Sequence, residues 1–166
     1  MDIACGDGDL LDQLKKRSVQ AFGMDFSPAR TLLASLKGRE VVQGDMHCLP
    51  FRPCSFDVII ASEILQQTTR PEQVLREWAE MIRDNGYLVI MMADIPAFRR
   101  KWLRSRGQRW KLIGYWSQYQ TVYTRSSFVN CIKSAGLCID QVIDHPASGS
   151  PERWIAICRE GKSAGL

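Results

Sequence analysis

Apolar positions along this chain keep two rhythms: unbroken or alternating in short stretches, and every third or fourth residue in longer ones. Met1, Ile3 and Ala4 open a strand over residues 1–5, Gly6 and Gly8 break it, and Leu10, Leu11 and Leu14 fall at helical spacing over 9–17. A strand over 19–24 comes next, then a helix over 28–36 with Ser27 as N-cap and Pro28 in its first position. Residues 40–43 read as a strand, and a loop through Pro50 and Pro53 leads to FDVIIA at 56–61. That unbroken apolar run predicts a strand covered on both faces. Val74, Leu75, Trp78, Met81 and Ile82 share one face of a helix over 71–83, which Asn85-Gly86 ends. YLVIMM at 87–92 is the next buried strand. A helix over 126–134 closes at Gly136, and strands over 137–143 and 154–158 complete the pattern.

Strands that alternate with helices are joined by right-handed crossovers, which predicts a parallel sheet with helices on both faces. The last two strands have no helix between them and read as an antiparallel hairpin at one edge. The expected fold is therefore α/β, a doubly wound and mostly parallel seven-stranded sheet with an antiparallel last strand. Its ligand belongs beyond the carboxyl ends of the strands, at the switch point.

A length of 166 residues fits a single domain over 1–166. No apolar run approaches the roughly 18 residues that cross a bilayer, and no signal-peptide pattern opens the sequence. The six cysteines are scattered without a C-x-x-C pair, mostly beside apolar patterns, so they read as reduced core residues of a cytoplasmic protein. His47, Cys48 and Cys54 fit no usual zinc spacing, and no metal is expected. The net charge of +4 is local: residues 99–111 hold seven of the 22 basic side chains and no acid. The other fifteen are outnumbered by the 18 acidic residues.

Four features fall at the carboxyl ends of successive strands. The glycine turn from Asp2 to Gly8 lets a ligand lie against bare backbone. Asp25, about 20 residues beyond the glycines, suits the two hydroxyls of a ribose; an acid before a helix is also favoured on electrostatic grounds alone. Gly44-Asp45-Met46 offers a carboxylate for an exocyclic amine and a thioether to pack on a base. Ser62-Glu63 ends the fourth strand.

With these residues in order, the chain resembles the class I S-adenosylmethionine-dependent methyltransferases, in particular the small-molecule group that includes ubiquinone- and menaquinone-type enzymes. The matching motifs are DIACGDG (2–8), GMDFSPA (23–29), GDMHCLPF (44–51), residues 55–90 and AGL (135–137). The resemblance implies that backbone around Ala4, Cys5 and Gly6, with Gly8 closing the turn, lines the methionine part of the cofactor. Asp2 takes its ammonium group, often through water. Asp25 holds the ribose hydroxyls, Phe26 borders the adenine, Asp45 accepts from its amine beside Met46, and Ser62 lies at the amino-acid end. Glu63 lies near the transferring methyl, and with His47, and less so Asp94, is a candidate base. Each has a plain alternative, Glu63 as an acid paired to an arginine and His47 as a loop residue.

Several positions depart from the family pattern. Ala4 stands for a usual glycine, Asp7 for a common threonine, and Gln67 for a histidine found in many relatives. Met1 already lies inside the strand of the first motif, whereas relatives carry one or two helices before it that help cover the active site. The sequence therefore reads either as a truncated version or as one whose cap comes from elsewhere. A partner subunit, of the same or another kind, is one source of that cap.

The family places substrate-recognition insertions at 94–123, where cations and aromatics are mixed here. A solvated helix, a lid over a substrate pocket, and contact with nucleic acid or an anionic membrane through 99–111 are the three readings. Transfer of a methyl group to an oxygen, nitrogen or carbon nucleophile of a small aromatic or lipid-like substrate is the leading expectation. A catalytically silent cofactor-binding scaffold that needs a partner, and an RNA-modifying enzyme, are the alternatives. Ser62-Glu63-Ile64-Leu65 replaces the Asn/Asp-Pro-Pro-aromatic sequence of base amino-group methylation, which counts against that form of the last.

Overall fold

A computed structural model describes residues 1–93, 123–145 and 153–161. The basic run at 99–111 and almost all of the expected insertion at 94–123 lie outside the described residues. The strands β1 (Asp2–Ile3), β2 (Gly23–Asp25), β3 (Val41–Gln43), β4 (Phe56–Ser62), β5 (Ile82–Ala93), β6 (Leu137–His145) and β7 (Arg153–Glu160) form one sheet. Its order is β3-β2-β1-β4-β5-β7-β6. The pairs β1–β2, β1–β4, β2–β3 and β4–β5 are parallel, and β7 runs antiparallel to both β5 and β6. The last strand thus inserts between its two predecessors, and it alone is reversed.

The described helices are α1 (Asp9–Lys15), α2 (Pro28–Leu36), α3 (Pro71–Glu80) and α4 (Arg125–Ser134), with a 3-10 turn at Leu65–Gln67. Ser27 caps α2, its hydroxyl accepting from the Arg30 N–H, and Pro28 opens the helix. Thr124 and Ser127 form a reciprocal capping box on α4. None of the described helices is long and apolar enough to cross a membrane.

The α3 helix stops three residues before the expected end. The carbonyls of Glu80 and Met81 accept the backbone N–H groups of Cys54, Ser55 and Phe56. Those bonds turn the chain into the sheet at once, and Ile82 pairs with Phe56. Met81 and Ile82 are buried as the helical pattern required, but by the strand entry rather than by a helix face.

Ile59, Ala61, Leu88, Ile90, Trp154, Ala156 and Cys158 line the buried side of the long strands and join Val74, Leu75 and Trp78 of α3 with Phe128 and Ile132 of α4 in one core. Phe128 stacks on Trp154 with ring centroids 6.3 Å apart. The opposite side is less covered than the unbroken apolar runs predict. Val58 and Tyr87 are exposed there and Ile60, Val89 and Met91 are half-buried. An apolar run reports only that both faces tolerate burial; packing decides how far each is covered.

Candidate active site

Register places the chemistry-bearing residues on one edge. Ile3 pairs with Met24 and with Ala61, and Asp25 pairs with Gln43, so Ala4, Phe26, Gly44 and Ser62 all leave the sheet at the carboxyl ends of adjacent strands. The turn after β1 is left-handed at three places, Ala4 (φ 58), Gly6 (φ 57) and Gly8 (φ 82). Glycine adopts this geometry freely. Ala4 does so against a steric cost on the order of 1–2 kcal/mol, which explains physically why a glycine suits that position.

Asp25 is 8% exposed and ties the two turns together. Its Oδ2 accepts the Gly6 N–H at 2.8 Å and its Oδ1 accepts the Ser27 N–H at 2.9 Å. Each oxygen keeps a lone pair for a further donor. The Gly44 N–H in turn donates to the Asp25 carbonyl at 3.0 Å, which fixes the next turn against this one.

Asp2 opens β1 opposite Gly23, two positions deeper in the sheet than Asp25, and is 5% exposed. Burial pushes its carboxyl up to about 7; the Met1 ammonium opposes that shift and Asp25 adds to it. The Cys5 thiol lies 3.7 Å from the Gly6 carbonyl oxygen, and a Cβ on Gly23 would stand 2.7 Å from that sulfur and 2.8 Å from Leu11 Cδ1. Burial raises the Cys5 thiol to about 12, so it stays protonated at neutral pH. The glycine that allows close helix–sheet packing is therefore Gly23 on β2. A G-x-G-x-x-G reading looks for it at Leu11 instead. The strand expected over 19–24 is confined to Gly23–Asp25, and Gly23 is its first residue.

Asp7 and Gly8 are handled by arginines that sequence reasoning missed. Arg30 Nη1 lies 3.6 Å from Asp7 Oδ1 and 3.0 Å from where a Gly6 Cβ would be, so a cation answers the extra acid in the turn. Arg39 reaches Asp9 and Asp12 of α1, and its Cδ would meet a Gly8 Cβ at 2.7 Å. Gly8 serves the packing of α1 in this way.

Both candidate bases are engaged. Glu63, left-handed at φ 53, accepts from Arg153 Nε at 2.8 Å, the arginine-paired alternative. His47 bonds through Nδ1 to Asp45 Oδ1 at 2.8 Å and through Nε2 to Thr68 Oγ1 at 2.9 Å. The Trp78 indole donates to the Met46 carbonyl at 2.9 Å, which anchors the segment after β3 to the core. Phe26 is 71% exposed, and Ser62 is half-buried at the end of β4. Gln66, in the 3-10 turn after β4, is 2% exposed, and among the described residues neither of its amide atoms has a hydrogen-bond partner. Asp94 lies outside the described residues. Among those described, no group of three or more His, Cys, Asp or Glu residues is arranged to hold a metal ion.

Residues 1–90, more than half of the chain, match the methyltransferase domain family. The chain belongs to that family. It is 34% identical over 104 residues to a demethylmenaquinone methyltransferase of Thermotoga maritima, covering 60% of this chain and 45% of the relative. It is 26% identical over 95 residues to a ubiquinone biosynthesis O-methyltransferase of Chromobacterium violaceum, covering 53% and 41%. The chain thus spans less than half the length of these curated relatives. A SAM-dependent methyltransferase of Methanosarcina mazei has the same fold, with a TM-score of 0.74 at 16% identity over 96% of this chain and 90% of that one. So does a chain from a complex containing the Haloferax volcanii Trm112 methyltransferase activator, with a TM-score of 0.75 at 17% identity over 99% and 82%.

S-adenosylmethionine is the cofactor of this family. The residues present suit it. The turn at Ala4 to Gly8 is free of bulky side chains, and a side chain at Gly6 would fill the space below Arg30. Asp2, Asp25 and Asp45 place acceptor oxygens in or just beyond the three adjacent strands β1, β2 and β3.

Proposed function

We propose that the chain is one domain over 1–166 that transfers the methyl group of S-adenosylmethionine to an oxygen, nitrogen or carbon nucleophile of a small aromatic or lipid-like acceptor. The quinone-pathway names of the relatives support an acceptor of that class. The observation that carries the reading is Asp25, whose two oxygens are pinned by the Gly6 and Ser27 N–H groups while a lone pair on each stays open. A carboxylate held in that way meets both hydroxyls of a ribose without reorganising.

In this reading the backbone of Ala4, Cys5 and Gly6 lines the amino-acid end of the cofactor, with Asp2 answering its ammonium and Ser62 alongside. Phe26 and Met46 border the adenine, and Asp45 accepts from its amine. When bound, the cofactor supplies a methyl carbon activated by a sulfonium for in-line displacement. The chain aligns the acceptor and excludes water. A base is required only for an acceptor that must lose a proton, and the side chains of Glu63 and His47 are both already hydrogen-bonded.

A silent scaffold completed by a partner is the second reading. The structural likeness to a chain from an activator-containing complex favours it. Six unbridged cysteines suit either protein to a reducing compartment such as the cytoplasm.

Calorimetric titration with S-adenosylmethionine and with S-adenosylhomocysteine tests the first reading. Micromolar binding, weakened more than about tenfold by Asp25→Ala, is expected. No binding at millimolar ligand refutes it. Binding without turnover on a panel of phenols and quinols, together with a stable complex with a partner protein, decides for the second.

A further inference from the structure

The segment from Gly44 to Cys48 carries Asp45 just beyond the tip of β3. It closes as a tight turn, the Cys48 N–H donating to the Asp45 carbonyl at 3.1 Å. Asp45 Oδ1 takes two bonds from one residue, from the His47 backbone N–H at 2.9 Å and from the His47 ring at 2.8 Å. A carboxylate only accepts, so the ring nitrogen facing it, Nδ1, carries the proton. In the neutral ring Nε2 is then an acceptor and takes the Thr68 hydroxyl, whose oxygen itself accepts the Arg70 N–H at 3.0 Å. Thr68 is 1% exposed, so this end of the relay is fixed in the protein interior. The imidazole is a strut from the buried segment after β4 to a half-exposed carboxylate after β3.

An exposed aspartate on a short turn ordinarily samples several rotamers, and ordering it costs free energy when a ligand arrives. Here both described bonds fall on Oδ1, which leaves the direction of Oδ2 set and its lone pairs open. The His47 bonds also hold the Asp45 carboxyl below the usual carboxylate range, so it stays an acceptor.

We propose that His47 is a positioning residue for the nucleobase end of the cofactor: its ring fixes Asp45 so that Oδ2 accepts from an exocyclic amine, and the site selects a 6-aminopurine over a 6-oxopurine. The inference rests on the cofactor reading above and deepens it. An oxo group opposite a carboxylate sets two acceptors against each other, and discrimination of that kind depends on the carboxylate being unable to turn away.

The test is titration calorimetry with S-adenosylhomocysteine and with its inosine counterpart, on the wild-type chain and on His47→Ala and His47→Asn. The wild type should prefer the adenine compound by about tenfold or more. His47→Ala should lose most of that preference, by weaker binding of the adenine compound with the inosine compound little changed. His47→Asn, whose amide N–H can reach Oδ1, should restore part of it. Thermal melting of each variant reports folding, and a merely structural role for His47 would weaken both ligands equally. Undiminished preference in His47→Ala, or equal loss for both ligands, overturns the inference while leaving the cofactor reading intact. A wild type that binds neither ligand overturns the cofactor reading and this inference with it.

Discussion

Replacing Asp2 with asparagine separates the cost of burying this carboxyl from its use. Asp2 is 5% exposed, and burial moves its pKa from 3.8 to about 7. The native state therefore holds a proton between about pH 4 and pH 7 that the unfolded chain has released. With more protons on the native than on the unfolded state, stability falls as pH rises through that window and levels off above it. Each tenfold change in proton affinity corresponds to about 1.4 kcal/mol, so the ionised form destabilises the fold by on the order of 2–4 kcal/mol. Asn keeps the shape and removes the charge. Asp2→Asn should match the wild type near pH 4 and exceed it by about that amount at pH 8 in urea unfolding. The same group predicts proton release on cofactor binding. An ammonium arriving beside Asp2 favours the carboxylate, so at pH 6, where about nine-tenths of Asp2 is protonated, binding should release a proton. Calorimetry in two buffers of different ionisation heat reads that proton, and Asp2→Asn should abolish it. Parallel stability curves for variant and wild type from pH 4 to pH 8 would refute the reasoning.

Two further outcomes follow from the site's supports. Ala4→Gly relieves the left-handed strain at φ 58 but adds backbone freedom to the unfolded chain. The balance is a stabilisation of about 0.5–1 kcal/mol, or roughly 2–4 °C in melting temperature per kcal/mol, and a lower melting temperature contradicts it. Trp78→Phe removes the indole bond to the Met46 carbonyl and leaves a void at a fully buried position. A loss of about 2–3 kcal/mol by chemical denaturation is expected, with weaker S-adenosylhomocysteine binding. Unchanged affinity in the folded variant would show that this anchor does not reach the adenine side.

Much of this molecule is local and therefore readable along the chain. Glycines after an apolar run, acids at the ends of the second and third strands, and Ser27-Pro28 before a helix each act within a few residues. These short-range rules determined the order of elements, the parallel sheet and the edge where Asp25 and Asp45 emerge. What the tertiary structure decided depends on pairs far apart in sequence. Glu63 meets Arg153 across 90 residues, and that meeting, which no spacing encodes, occupies a candidate base with an ion pair. Residues 47 and 68 meet through a ring nitrogen and a buried hydroxyl, which makes a loop histidine into a support for Asp45. The close approach of Leu11 to the sheet fell to Gly23 because strand register, not the local motif, sets which backbone lies beneath α1. The insertion of β7 between β5 and β6 likewise follows from the sheet as a whole, since periodicity shows that a segment is a strand and leaves its neighbours open.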